Sequence, residues 1–272
     1  MPGQGTLSLL IITVFVTAVG VLIVTTYGKL LLAAFSKPFT YAGERIYRWL
    51  APRIPFFIPV ISYRKHVRRS KLGYMETPVG PDIAVPLERA FAPLRLISSA
   101  QEHGVELFTL AANNDRFILL GGPGTGKTTL MKNLVINALN RVTHTKLDQL
   151  TPVFVELRHL ATARHTIEQA IIAAFDRYHF PGAGKFVRAA VSQGKLLIIL
   201  DGLDEVGVNR SFVAEKIRDF CNIDNQQISR NTVIVTCREN SYRTEDLRAV
   251  IPTVVRVESF SNHHMRLFLQ GW

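Results

Sequence analysis

Four residues in the middle of the chain have the types and spacing of a phosphate-binding loop. Gly121, Gly126, Lys127 and Thr128 carry the pattern G-x-x-x-x-G-K-[ST]. Glycines allow the φ values that turn successive N–H groups toward a phosphate, the lysine reaches the β- and γ-phosphates, and the hydroxyl is placed to ligate Mg²⁺. We therefore predict nucleotide binding by Gly121, Gly122, Pro123, Gly124, Thr125, Gly126, Lys127 and Thr128.

The segments on either side of this loop are those that a phosphate site needs. Residues 117–120 are bulky and apolar, which predicts a buried strand, and an apolar stripe at helical spacing runs over 131–139. The amino end of that helix directs its positive dipole toward the loop. The alternative is a glycine-rich turn with an incidental lysine, and the strand and the helix argue against it.

A second chemical signal follows another apolar run. Residues 196–200 predict a buried strand of a parallel sheet, and Asp201, Asp204 and Glu205 come directly after it. Ligands bind at the carboxyl ends of such strands, so Asp201 is placed to hold Mg²⁺ opposite Thr128. Either Asp204 or Glu205 could orient or deprotonate the attacking water. An acidic turn after a core strand is the alternative interpretation.

These residues together resemble a NACHT-type NTPase of the STAND class of P-loop NTPases. The resemblance covers about 95–272 and depends on the loop at 121–128, on DGLDE at 201–205, and on the strand TVIVT at 232–236 with Cys237 and Arg238 after it. Residues 152–158 and 254–257 are similar to the second and last strands of that domain. The resemblance implies an α/β three-layer sandwich with a parallel sheet in the ASCE strand order, in which strand 232–236 lies between the strands that end at the loop and at Asp201.

The resemblance also implies roles for individual residues. ATP or ADP would lie on 121–128, Mg²⁺ on Thr128 and Asp201, and Asp204 or Glu205 would be the hydrolytic carboxylate. Arg238 would sense the γ-phosphate, and a salt bridge at a strand end is its alternative role. Other P-loop classes fit less well: the GTPase strings occur in the wrong order, an ABC signature is missing, and DGLDE argues against a nucleotide kinase.

In function, the resemblance implies a slow ATPase that works as a signalling switch. In STAND proteins ADP holds a closed monomer, and exchange for ATP permits assembly into a homo-oligomer, with defence or cell death as the setting. A C-terminal winged helix and sensor repeats would follow beyond Trp272 in a complete STAND protein, so we expect either a C-terminally truncated chain or a partner that carries these parts. The alternatives are an AAA+-like membrane-anchored ATPase that remodels membrane proteins and a scaffold that binds nucleotide without hydrolysing it.

The N-terminal region predicts a membrane anchor. Residues 7–27 contain no charged side chain, and about 20 apolar residues at 1.5 Å each span a hydrocarbon core of roughly 30 Å. A cleaved signal peptide and a buried soluble helix are the alternatives, but a basic n-region is missing and few soluble helices stay apolar on all faces. Ten basic residues and one acid occupy 29–71, which places the N-terminus outside and the NTPase domain in the cytoplasm.

The distribution of charge separates two kinds of partner. The formal net charge is +11, the stretch 29–71 accounts for nine of these charges and residues 1–28 carry none, so the 201 residues of 72–272 are nearly neutral. We therefore expect the basic stretch to lie against anionic lipid heads and expect no direct nucleic-acid binding. The predicted domains are a transmembrane anchor at 1–28, a basic juxtamembrane segment and Pro-rich linker at 29–93, and the NTPase domain at 94–272.

Three local patterns give further expectations. Helical spacing over 94–112 predicts a helical lead-in to the loop strand, and the prolines at 78, 81, 86 and 93 predict a linker. The apolar run 54–61 is too short to span a bilayer, and its prolines are expected to stop a helix. Cys221 and Cys237 lack metal-ligand spacing and are expected to be buried thiols in a reducing cytosol.

Overall fold

The computed structural model describes residues 57–77, 80–87, 96–98, 101–162, 165–225, 230–243 and 247–258. The predicted membrane helix at about 7–27 lies outside these residues. Within the described part of the chain, no helix combines the length and the apolar character needed to cross a membrane.

A seven-stranded sheet forms the centre of the fold, in the order β4-β3-β9-β5-β8-β7-β6. Five neighbouring strands, β9, β5, β8, β7 and β6, are parallel, and β3 and β4 extend the sheet with antiparallel pairs. The strands are β3 (Leu96–Ser98), β4 (Gln101–Val105), β5 (Arg116–Gly121), β6 (Thr151–Glu156), β7 (Leu196–Asp201), β8 (Thr232–Arg238) and β9 (Thr253–Val257).

Helices connect the parallel strands and cover them. The α-helices are α1 (Phe57–Arg69), α2 (Leu107–Asn113), α3 (Lys127–Asn140), α4 (Leu157–Thr162), α5 (Ile167–Arg177), α6 (Ala183–Ser192) and α7 (Arg210–Asn225). Short 3-10 helices lie at Lys71–Gly73, Lys146–Gln149, Leu203–Asn209 and Glu239–Ser241. All six residues of β5 and the first five of β7 are buried. Side chains on both faces of these strands are therefore covered, as in the interior of a parallel sheet.

Strand β8 lies between β5 and β7, as the resemblance implied. Its residue Val235 pairs with Ile118 of β5 on one side and with Leu200 of β7 on the other. Because all three strands are parallel, their carboxyl ends meet at one edge of the sheet. The phosphate-binding loop, the acidic turn and Arg238 are thus brought to the same edge.

The predicted helical lead-in over 94–112 is wrong for its first part. Strands β3 and β4 occupy 96–98 and 101–105, and the helix α2 begins only at Leu107. Leu96 is fully buried and pairs with Val257 of β9. A free edge of β9 was available to this segment, and pairing with it outweighed the helical spacing of the apolar residues.

The apolar run at 54–61 also differs from expectation, because a helix passes through its last proline. Helix α1 begins at Phe57, and Pro59 lies in its first turn, where a backbone N–H has no helical acceptor to lose. Tyr63 and Val67 of α1 are buried in the core, and Tyr63 Oη donates to the carbonyl oxygen of Pro152 at 2.9 Å. The core therefore includes residues upstream of the predicted start at 94.

The proline-rich segment contains a hairpin. Strands β1 (Tyr74–Thr77) and β2 (Gly80–Pro86) pair antiparallel as a separate two-stranded sheet, with Pro86 opposite Tyr74. Prolines are tolerated in an edge strand because the unpaired side of the strand needs no backbone N–H donor. The predicted linker therefore contains regular structure at 74–77 and 80–86.

Candidate nucleotide-binding site

The loop between β5 and α3 has the backbone shape of a phosphate cradle. Gly124 and Gly126 adopt left-handed conformations with φ of 70° and 80°, which other residues rarely adopt. A Cβ at Gly121 would lie 2.7 Å from Thr125 Oγ1, so the first turn of the loop is closed tightly. Gly126 is the N-cap of α3 and makes no side-chain cap bond. The amino end of a helix of about four turns therefore faces the loop, which suits an anionic ligand.

Lys127 lies against this loop. Its Nζ donates to the carbonyl oxygens of Gly121 and Gly122 at 2.8 and 2.9 Å. Burial lowers the pKa of Lys127, while the charges of Asp204 and Asp201 act to raise it. The ammonium group is thus held at the loop by neighbours that can be exchanged for phosphate oxygens.

Asp201 joins three elements at the end of β7. Its Oδ2 accepts from Thr128 Oγ1 at 3.0 Å, and its Oδ1 accepts from Thr236 Oγ1 at 2.6 Å. Thr236 Oγ1 in turn accepts from the backbone N–H of Gly202 at 2.8 Å. Burial raises the pKa of Asp201, although both threonine bonds act to lower it.

The two predicted metal ligands fit Mg²⁺ by their chemistry. A hydroxyl oxygen of Thr128 and a carboxylate oxygen of Asp201 meet across the gap between α3 and β7, and Mg²⁺ prefers such oxygen donors. No group of three or more His, Cys, Asp or Glu side chains suited to a metal occurs in the described ranges. An ion held by these two oxygens would complete its coordination with water and with oxygens of a bound phosphate.

Asp204 and Arg238 form an ion pair beside this site. Asp204 Oδ2 lies 2.8 Å from Arg238 Nε, and Asp204 Oδ1 accepts the backbone N–H of Arg238 at 2.9 Å. The Asp204 side chain is 6% exposed and that of Arg238 is 51% exposed. Both carboxylate oxygens of Asp204 are engaged, and the arginine is held with its outer part in solvent.

Glu205 differs from Asp204 in its surroundings. Glu205 is exposed, and its carboxylate packs over Gly202, where a Cβ would lie 3.3 Å from the carboxylate carbon. Gly202 has a φ of 83°, so both its conformation and its contact with Glu205 favour glycine at this position. Two structural features therefore explain why glycine follows Asp201.

A third acidic residue near Asp201 received no role from sequence reasoning. Glu156 ends β6 and pairs in register with Asp201 of the neighbouring strand. Its Oε2 accepts from Arg158 Nη2 at 2.6 Å, Arg158 Nε at 3.0 Å and His159 Nε2 at 2.9 Å. A polar residue at the carboxyl end of a strand beside β7 was the signal that could have identified it.

Thr236 was also missed as a contributor to the site. It appeared in the sequence only as the last residue of an apolar strand, and its hydroxyl links Asp201 to Gly202.

Cys237, which follows it, is a buried free thiol, as is Cys221, so the prediction of buried thiols is confirmed. Burial raises the pKa of Cys237, which makes it a poor nucleophile.

Comparison with known proteins identifies the family. The NACHT domain family matches residues 115–272, which is more than half of the chain and contains the whole site. The chain belongs to the NACHT domain family. It is thus a P-loop NTPase domain, and the matched residues include the glycine loop, the five parallel strands and the side chains of Thr128 and Asp201.

Two further comparisons accompany this NACHT assignment. A solved structure described as "Structure of C. elegans PCH-2" is similar to the chain, with 19% sequence identity and a TM-score of 0.33. The match covers 56% of this chain and 39% of that one, so the chain spans well under half the length of the similar protein. No curated protein matches.

Proposed function

We propose that this NACHT protein binds and hydrolyses ATP and uses the nucleotide state as a signalling switch at a membrane. One observation carries the proposal: hydrogen bonds join the loop helix, the acidic turn and β8 around Asp201. Thr128 and Thr236 both donate to Asp201, and Asp204 accepts from the backbone of Arg238. Residues that are far apart in the chain are thereby assembled into one site suited to phosphoryl transfer.

The chain's own residues account for binding. The loop backbone and the amino end of α3 hold the phosphates, and Lys127 leaves the carbonyl oxygens of Gly121 and Gly122 to contact them. Thr128 and Asp201 would hold Mg²⁺, which supplies positive charge to the leaving and transferred phosphates. Thr236 keeps Asp201 oriented while it does so.

We assign the hydrolytic carboxylate to Glu205. The Asp204 side chain is buried and both its oxygens are taken by Arg238, whereas Glu205 is exposed, packs against Gly202 and is attracted by the charge of Arg158. A general base must reach the attacking water and accept its proton, and such a group typically contributes 10²–10⁴-fold. Asp204 instead positions Arg238, whose guanidinium would sense charge on the γ-phosphate.

The switch itself follows from the link between Asp204 and Arg238. Movement of Arg238 toward a γ-phosphate would pull on β8 and on the acidic turn together, because one carboxylate binds both its backbone and its side chain. We propose that the ATP-bound form assembles into a homo-oligomer. We further propose that the segment at 7–27 anchors it, with the N-terminus outside, the NTPase domain in the cytoplasm, and a role in defence or cell death.

The test compares nucleotide binding, hydrolysis and assembly in the purified full chain. We expect Lys127→Ala to lose nucleotide binding and Glu205→Gln to bind ATP but hydrolyse it at least about 100-fold more slowly. Lys146→Ala is the matched control, because Lys146 pairs with Asp115 in an exposed ion pair. Light scattering of the Glu205→Gln variant should show an oligomer with ATP and a monomer with ADP.

Two results would count against the proposal. If Glu205→Gln hydrolysed ATP at the normal rate, the assignment of the carboxylate would be wrong. If the unmodified chain hydrolysed ATP steadily at rates above about 1 s⁻¹ without changing its assembly state, a remodelling ATPase would be the better description.

A further inference from the structure

One side of helix α1 is a cationic surface that the nucleotide site does not use. Ile61, Lys65, Arg68 and Arg69 are exposed and recur at intervals of four, three and one residues, which places them on one side of the helix. We call these four residues the basic face of α1. Ile61 is 61% exposed, so an apolar side chain lies among the cations.

Little negative charge balances this face. The sequence contains no acid between Glu44 and Glu76, and no ion pair joins Lys65, Arg68 or Arg69 to a carboxylate of the described residues. Arg64 flanks the face, and its buried Nε has no hydrogen-bond partner in the part of the chain that the structure describes. Burial and the positive charge of Arg141 both lower the pKa of Arg64. Among the described residues, the carboxylates that form ion pairs are therefore engaged elsewhere and none balances this face.

The opposite side of α1 is fixed to the NTPase core. Tyr63 and Val67 are buried, and the Tyr63 ring packs against Phe175 with centroids 4.6 Å apart. Its hydroxyl donates to the carbonyl oxygen of Pro152, the second residue of β6. Whatever binds the basic face consequently orients the sheet that carries the nucleotide site.

We propose that the basic face of α1 docks the NTPase domain on an anionic lipid surface. Cations attract the headgroups, and an exposed isoleucine can enter the boundary with the acyl chains, as in interfacial helices. The phosphate backbone of a nucleic acid would offer no apolar contact to Ile61, and the nearly neutral remainder of the domain continues no basic track for it. The inference rests on the membrane part of the proposed function.

The experiment places a fluorescent label on the basic face of the full chain. Ile61→Cys is labelled with bimane and reconstituted in vesicles of phosphatidylcholine alone or with about one-third phosphatidylserine, both containing a spin-labelled lipid that quenches on contact. Ile223→Cys is the matched control, because Ile223 is 60% exposed on α7. The native cysteines are buried, so labelling is directed to the introduced one.

We expect quenching at position 61, and not at 223, that increases with phosphatidylserine and is lost at about 1 M salt, where charges are screened within roughly 3 Å. The double variant Lys65→Gln/Arg68→Gln should weaken docking about twenty-five-fold, at roughly five-fold for each charge. Lys185→Gln/Lys195→Gln removes two exposed charges outside α1 and should change docking less than two-fold.

Equal quenching in both lipid mixtures, or none in either, would overturn the proposal. A DNA duplex that raises the anisotropy of the label, while phosphatidylserine leaves quenching unchanged, would also overturn it and assign the face to nucleic acid.

Flotation with phosphatidylcholine vesicles tests the anchor separately. A chain that floats only with anionic vesicles, and is quenched at 61, would refute the anchor and support docking by α1.

Discussion

Replacing Thr236 by valine should damage the site without changing the shape of the core. Thr236 is 1% exposed, and its hydroxyl donates to Asp201 Oδ1 at 2.6 Å and accepts the Gly202 N–H at 2.8 Å. Valine has nearly the same shape but leaves the N–H without an acceptor, at a cost of about 1–3 kcal/mol. The bond to the Asp201 carboxylate is worth about 1.5–3 kcal/mol. Both contributions come from the Thr236 hydroxyl and are not simply additive, so we expect the free energy of unfolding to fall by about 2–4 kcal/mol.

The same change should alter the pH dependence of binding. Burial already raises the pKa of Asp201, and the Thr236 bond acts to lower it, so removal of the bond raises the pKa further. A loss of about 1.4 kcal/mol in stabilising the carboxylate corresponds to about one pH unit. Mg²⁺ binds the ionised form, and Mg²⁺-dependent ATP affinity should therefore begin to fall about one pH unit higher in the variant.

The assay is a pH series of ATP affinity with and without Mg²⁺, measured by anisotropy of a fluorescent analogue, together with urea unfolding of the full chain. Thr236→Ser keeps the hydroxyl and should restore the normal pH profile. Thr232→Val changes a buried threonine at the other end of β8 and should leave that profile unmoved. The reasoning is refuted if Thr236→Val shows normal stability and a normal pH profile.

Three further predictions concern the carboxylates around the site. Asp201→Asn should abolish the Mg²⁺ dependence of ATP affinity. Because burial raises the pKa of Asp201 in the folded state, ionisation of this carboxyl group opposes folding as the pH rises through that pKa. Thermal unfolding at neutral pH should therefore show that the nucleotide-free variant is at least as stable as the unmodified chain. Glu156→Gln removes a negative charge that raises the pKa of Asp201, so the acid limit of Mg²⁺-dependent affinity should move to lower pH; an unchanged limit would show that the two carboxylates are not coupled. Asp204→Asn should reduce single-turnover hydrolysis while leaving Mg²⁺-dependent binding intact, since Asp204 positions Arg238; equal loss of both would contradict this role.

The core strands and the loop were predictable because their signals are local. The apolar runs that became β5 and β7 are continuous, and buried strands of parallel sheets have no polar face to obscure them. The glycine loop at 121–128 carries its own conformational requirement, seen in the left-handed Gly124 and Gly126. Each of these features is contained within about ten residues of chain.

The errors arose where a distant partner decided the local structure. Helical spacing over 94–105 gave way to β3 and β4 because the edge of β9, some 150 residues later, was available for pairing. Helix α1 was missed because its apolar residues meet β6 and α5, which no nearby pattern reveals. Propensity is a weak prior when such burial is at stake.

The sequence by itself determined that this chain binds nucleotide through a P-loop and that acidic residues and an arginine end the neighbouring strands. Only the tertiary structure decided which of the acidic residues binds the arginine and which stays exposed to solvent. The carboxylates of Asp204 and Glu205 are adjacent in sequence, yet Arg238, 34 residues beyond Asp204, engages one and leaves the other exposed. The reason is physical: spacing along a strand sets which groups reach the sheet edge, whereas hydrogen-bond partners and burial depend on the strand that packs beside it.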